Sequence, residues 1–259
     1  MLKVSDLRFG YRRRGDMVLR GVDLELGEGE IGILLGKNGS GKTTLFKAIL
    51  GINAPASGKV SFAGEDLLKM DRRERARRVA YVPQDIRFGE LSVFDSILMG
   101  RISYFGLKAG EDDYAAVERI LRDMQLERYA QRNVEELSGG ERQKIAIARA
   151  MAQQPRLMIF DEPTGNLDIA NEQLIMREAR RLARERNIAI LSSLHDLNQA
   201  LQFGDRFFFL KDGRIRYAGG RECFREDVIE DIFDIRVRIV DIEGQKYVLG
   251  GSFDEDERG

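Results

Sequence analysis

Gly36, Gly41, Lys42 and Thr43 stand in the spacing G-x-x-x-x-G-K-[ST], within Gly36-Lys37-Asn38-Gly39-Ser40-Gly41-Lys42-Thr43-Thr44. These residue types at this spacing suit the cradling of nucleotide phosphates. Glycines let the backbone bend until successive N–H groups converge on phosphate oxygens, and a following helix adds the positive end of its dipole. Lys42 is placed to reach the β- and γ-phosphates as a point charge, and the Thr43 hydroxyl to ligate Mg²⁺. A second reactive group closes the apolar run Leu157-Met158-Ile159-Phe160, which ends in Asp161-Glu162-Pro163. Successive side chains on a strand point opposite ways, so the two acids take different jobs. Asp161 is expected in the Mg²⁺ shell, and Glu162 beside the γ-phosphate, polarising the attacking water.

Four further positions join this set. Ser138-Gly139-Gly140-Glu141 opens a helical stretch running through Ala152. Its exposed N–H groups, hydroxyl and dipole make a second anion site. Ser138 and Glu141 also fit a capping box, and a capped helix end is what presents those N–H groups. Gln84 follows a strand ending at Pro83, and His195, the only histidine, follows the strand-like Ile188 to Ser193. Ligands of open α/β sheets gather at the carboxyl ends of strands, so Gln84 is placed to ligate the metal or position a water. Tyr11 lies between two early strands, within reach of a purine ring if they fold back over the site.

The elements that must position these residues alternate. Leu2, Val4, Leu7 and Phe9 form one strand-like series; Val18, Leu19, Val22, Leu24 and Leu26 form another, around a Gly15-Asp16 turn. Ile31 to Leu35 reads as a buried strand feeding the glycine-rich loop, and Leu45 to Leu50 as the helix beyond it, stopped at Gly51. A short strand spans Lys59 to Phe62; an arginine-rich helix starts at Asp71; Val79 to Val82 is a strand. Residues 85–136 are helical, with Val93 to Met99 amphipathic and Tyr114 to Met124 at helical spacing. The fully apolar Leu157 to Phe160 suits a parallel strand buried on both faces. A long helix to about Arg186 and the strand Phe207 to Leu210 follow, the latter turning at Lys211-Asp212-Gly213. A short helix, a hairpin about Gly244 and an acidic, disordered Asp254 to Arg258 close the chain.

Composition removes several classes. At 43% hydrophobic and 33% charged residues, the chain is a soluble globular protein rather than a disordered or membrane-spanning one. A net charge of −1 and a pI near 6.1 give no reason to expect nucleic acid as a partner. The arginine clusters at 12–14, 72–78 and 180–186 are interleaved with acids or lie on helices, and read as solvated faces. Cys223 is the only cysteine, which excludes an internal disulfide and fits a reducing compartment. The start of the chain has no secretory pattern and no apolar run reaches spanning length, so a cytoplasmic protein is expected, with any membrane role supplied by a partner.

In this order the motifs resemble the nucleotide-binding subunit of ATP-binding cassette (ABC) transporters, from about Leu2 to Gly220. Gly36 to Thr43 matches that family's Walker A loop, Leu157 to Asp161 its Walker B strand, Glu162 its catalytic glutamate, and Leu137 to Gln143 its signature sequence. Tyr11, Gln84, Asp168 and His195 fall where its adenine-stacking aromatic, Q-loop, D-loop and H-loop residues belong. The resemblance implies an α/β fold. Its P-loop NTPase core, a mostly parallel sheet flanked by helices, carries an antiparallel β subdomain and an inserted α-helical subdomain. It implies an ATPase domain over residues 1–220, with the helical subdomain at about 85–155, and a short C-terminal extension over 221–259. It further implies ATP and Mg²⁺, and a head-to-tail homodimer in which Walker A of one subunit faces the signature of the other. Permease subunits, and through them a substrate-binding protein, are the implied partners, at the cytoplasmic face of a membrane. Ile97 to Arg101, Ser193 to Asn198 and the C-terminal extension are similar to the group importing iron–siderophores, haem and cobalamin. Gly165-Asn166-Leu167-Asp168 is similar instead to a form common in lipoprotein-release and macrolide-type ATPases. A soluble ABC ATPase acting on nucleic acid or ribosomes lacks support, since neither a second cassette nor a long coiled-coil insertion is present. A P-loop kinase or GTPase would leave Ser138 to Gly140 and His195 without a role.

Overall fold

The computed structural model describes residues 1–11, 16–165 and 167–250. The expected Gly15-Asp16 turn, the 12–14 arginines, Asn166 and the acidic tail lie wholly or partly outside them.

Strands β1 (Leu2–Gly10) and β2 (Met17–Leu26) pair antiparallel. The apolar series of β1 slips by one between Val4 and Leu7, and there the register shifts, with Asp6 at φ 43°. This bulge keeps Leu7 and Phe9 on the buried face that Leu2 and Val4 occupy. Strand β3 (Ile31–Leu35) is buried throughout and leads to helix α1 (Lys42–Ile49). Strands β4 (Ser57–Phe62) and β5 (Glu65–Asp66) complete a four-stranded antiparallel sheet ordered β2-β1-β4-β5. Helix α2 (Arg72–Arg78) starts where Asp71 accepts the N–H groups of Arg73 and Glu74 at 2.8 and 2.9 Å.

After β6 (Val79–Val82) come helices α3 (Val93–Leu98), α4 (Glu111–Asp123) and α5 (Gly139–Met151), with one 3₁₀ turn between the first two and two between the second and third. The chain then alternates through β7 (Leu157–Asp161), α6 (Ile169–Arg186), β8 (Ala189–Ser193), α7 (Leu197–Phe203), β9 (Arg206–Lys211) and β10 (Arg214–Gly219). Helix α8 (Glu226–Phe233) and the hairpin of β11 (Val237–Ile242) and β12 (Gln245–Gly250) end the described chain.

The central sheet runs β10-β9-β3-β8-β7-β6, parallel throughout except where β10 turns back on β9. Alternation along its strands divides the apolar side chains between two cores. Ile33, Met158, Phe160, Ile190, Phe207 and Phe209 face α5, α6 and the inserted helices. Leu34, Leu157, Ile159, Leu191, Phe208 and Leu210 face α1 and the four-stranded sheet. Coverage on both faces explains why these strands read as continuous apolar runs. Phe224, Val228, Ile229, Ile232, Val237 and Val248 belong to the first core, with Phe224 edge-on to Phe207 at 4.7 Å. Residues 224–248 are thus packed against one face of the central sheet through these side chains.

Candidate functional site

Because β3, β6, β7 and β8 are parallel, their carboxyl ends share one edge of the sheet, and the segments leaving them enclose a cleft of about 650 Å³. Tyr11, Asn38, Gly39, Gly41, Lys42, Thr43, Thr44, Gln84, Glu162 and His195 all line it, joined by Asp16 and Val18, which sequence reasoning did not single out. The edge of β2 thereby closes the side of the cleft on which Tyr11, half exposed, stands.

The glycine-rich loop is held shut around Lys42. That side chain is only 5% exposed, and its ammonium donates to the Gly36 carbonyl at 2.9 Å and to the Lys37 carbonyl at 3.4 Å. Burial pushes the Lys42 pKa down, and the carboxylates of Glu162 and Asp161 pull it back. Gly36 passes so close to the Leu210 carbonyl that a Cβ there would collide with it. Gly41, at φ 110°, caps α1 without a side-chain bond, and no acid stands in the first turn. The first N–H groups of α1 therefore lack a side-chain acceptor, as an anion site requires. The Lys37 side chain does not line the cleft: its ammonium pairs with Asp234 beyond α8.

Asp161 is 3% exposed at the end of β7, and both its oxygens are held. The Ser193 hydroxyl donates to one at 3.1 Å and the Tyr81 hydroxyl to the other at 3.1 Å. Burial, with the adjacent carboxylate, holds the Tyr81 phenol far above its ordinary range, so it remains a donor. Ser193 also accepts the Glu162 N–H at 2.9 Å. The strand ends at Asp161, so simple alternation is not what separates the two acids: Glu162 takes φ 51° just past β7. Such a backbone costs on the order of 1–3 kcal/mol and persists only where its surroundings over-determine it. Here the Ser193 bond fixes its amide, and His195 Nε2 lies 2.7 Å from its carboxylate. Tyr81 and Ser193 were missed because a hydroxyl inside an apolar strand carries no motif. The adjacent polar pair Ser192-Ser193 in a buried strand was the available signal.

Ser138, Gly139, Gly140, Glu141 and Asp168 lie outside this cleft and form a second cluster. Ser138 caps α5 in a capping box: Glu141 accepts its N–H at 2.9 Å and its hydroxyl at 2.8 Å. Asp168 caps α6, accepting the Asn171 N–H at 2.8 Å, and Asn171 packs directly against Gly140. The two helix starts are therefore neighbours on one surface.

The donor set fits Mg²⁺. The Thr43 hydroxyl and the Gln84 amide line the cleft, and the held Asp161 carboxylate keeps unused lone pairs; oxygen donors suit a hard cation. Among the described residues no group of three or more His, Cys, Asp or Glu could hold a metal without other ligands. Mg²⁺ is commonly bound that way, through one or two protein groups plus substrate phosphates.

A phosphate loop running from a parallel strand into a helix, with an acid pair two strands away at the same sheet edge, defines a P-loop nucleotide hydrolase. Residues 19–165 match the family model described as ABC transporter. An ABC transporter ATP-binding protein of Methanocaldococcus jannaschii is 37% identical over 249 residues, covering 96% of this chain and 97% of that one. The hemin import ATP-binding protein of Gloeobacter violaceus is 37% identical, over 85% of this chain and 82% of its own. Among solved structures, an ABC transporter described as of metal-chelate type, inward-facing, superposes with a TM-score of 0.82 at 28% identity, covering 96% and 95% of the two chains. A dimeric cassette bound to ADP and Pi superposes at 0.74 with 28% identity, covering 85% and 98%. The chain belongs to the ABC transporter family, as an ATP-binding, ATP-hydrolysing subunit.

Proposed function

We propose that this subunit drives import of a metal chelate, such as iron–siderophore, haem or cobalamin, through a partner permease at the cytoplasmic face of a membrane. The importer class is supported by relatives named for import of hemin, cobalamin, spermidine/putrescine and phosphonates. The metal-chelate reading rests on the hemin and cobalamin proteins and on the structural neighbour of that type. Among the described residues no helix is long and apolar enough to cross a membrane.

The observation that carries the chemistry is the Glu162–His195 pair, 2.7 Å apart on the cleft that the phosphate loop lines. Glu162 is positioned to orient water for in-line attack on the γ-phosphate, and His195 to hold that phosphate and the water. Lys42 and the α1 N-terminus take the phosphate charge, and Tyr11 stacks on the adenine. Thr43, Gln84 and Asp161 would hold Mg²⁺, whose charge neutralises the β- and γ-oxygens when bound. Ser138 to Glu141, with Asp168, serve the nucleotide of a second copy, which arrives as the partner in an ATP-bound dimer. A substrate-binding protein delivers cargo to the permease.

The test joins chemistry to cargo. Vesicles carrying the permease and this subunit, with ATP inside the appropriate compartment, should accumulate haem or cobalamin. Glu162→Gln should retain ATP binding while losing turnover and uptake by roughly a hundredfold or more, the size expected when a group acting only in the transition state is removed. Near-normal turnover in that variant would sink the role given to Glu162, and uptake of polyamines or phosphonates instead would overturn the cargo.

A further inference from the structure

Residues 221–250 touch, at two separate points, segments that flank the nucleotide site. The first is the phosphate loop, where the Lys37 ammonium pairs with Asp234, which ends α8 in the left-handed region at φ 53°. Lys211, at the end of β9 beside Gly36, is tied to the same helix end. Its ammonium lies 3.0 Å from Asp231 and 3.8 Å from Asp234. A helix C-terminus and two carboxylates thus face two lysines, a favourable arrangement of dipole and charge. Lys37 matters because its carbonyl, with that of Gly36, holds the Lys42 ammonium. The second point is the first turn of α7, just beyond His195. Asn198, three residues beyond His195, uses its side-chain amide as a strand edge: it donates to the Val248 carbonyl at 3.0 Å and accepts the Val248 N–H at 2.8 Å. Between the two points the segment is rigidly anchored. Phe224 packs on Phe207 and Phe209, and Glu226 accepts the Ile239 N–H at 2.8 Å, locking α8 to β11.

We propose that the C-terminal segment is a brace for the nucleotide site, with Asp234 positioning the phosphate loop through Lys37 and Val248 positioning the start of α7, three residues beyond His195, through Asn198. The proposal rests on the site reading above. It assigns the two contacts to different stages: the loop binds phosphate in ground and transition states alike, whereas His195 acts on the reacting phosphate and water.

The experiment is steady-state ATPase kinetics and thermal unfolding of the full chain carrying Asp234→Asn, Asp234→Glu or Asn198→Ala. Asp234→Asn should raise KM for ATP about twofold to fivefold with kcat nearly unchanged, the scale of an exposed ion pair. Asp234→Glu should restore KM. Asn198→Ala should instead lower kcat about threefold to tenfold with KM nearly unchanged, as expected when a transition-state contact loosens. Unchanged kinetics in both variants, or losses of KM and kcat that merely follow a lower melting temperature, would overturn the brace. Glu162→Gln in the same assay separates the two readings: if it still turns over, the site reading fails; if it is inactive while Asp234→Asn and Asn198→Ala behave as wild type, only the brace fails.

Discussion

Two acids depend on the Ser193 hydroxyl, which donates to Asp161 and accepts from the amide of Glu162. Removing it leaves a buried carboxylate oxygen and a backbone N–H each short of a partner, at about 1–3 kcal/mol apiece. Part of that cost falls on the left-handed turn that aims Glu162 at His195. Ser193→Ala is therefore expected to lower kcat about tenfold to a hundredfold, with a smaller change in nucleotide affinity. Tyr81→Phe removes one donor from Asp161 and leaves Glu162 untouched, so a loss of about tenfold or less is expected, with more Mg²⁺ needed for half-maximal rate. ATPase rates across a Mg²⁺ titration check both. Wild-type turnover in Ser193→Ala would show that the Glu162 turn holds without it.

At the scale of elements, a buried cation ties the inserted helices to one another. Arg101, just after α3, pairs with Asp113 of α4 at 3.0 Å, donates to the Ala152 carbonyl at 3.0 Å and lies 3.6 Å from the Tyr104 ring centroid. Both charged side chains are under 10% exposed. Removing one partner strands the other, so Arg101→Ala should cost about 3–5 kcal/mol in denaturant unfolding. Arg101→Ala together with Asp113→Ala should cost less than the sum of the two single changes. A fully additive double variant would mean that the pair does not act as one unit. Nothing in the sequence marked Arg101 and Asp113 as partners, since pairing across 12 residues leaves no period to read. Other features were legible for definite reasons. Asp71 and Ser138 announced helix starts because a short polar side chain at that place has a capping mechanism. The slip in the β1 alternation encoded its bulge. Phosphate-loop residues were legible because phosphate chemistry fixes both their types and their spacing. What stayed hidden were the supports, Tyr81, Ser193 and Asp234, whose meaning comes only from strands and helices brought together by the fold.

The molecule as a whole presents a cleft with an open helix start and, outside that cleft, a second helix start at Ser138. The proposed two-fold dimer would resolve this geometry, because in an isologous pair each copy would give its loop to one site and its Ser138 cluster to the other. The similarity to a dimeric cassette bound to ADP and Pi supports that arrangement. Lys42→Ala disables the loop of its own copy, and Ser138→Phe blocks the helix start it would offer to the other. Each variant alone should be inactive, since every site in its homodimer carries the lesion. In a mixture, a heterodimer combines both lesions in one site and leaves the other site whole. Mixing the two purified variants should therefore restore ATP hydrolysis that neither shows alone, reaching at most about a quarter of the wild-type rate per chain if exchange is random. No recovery, with each variant folded and Ser138→Phe still binding ATP, would place the Ser138 helix outside the site and leave its capping box as its whole role.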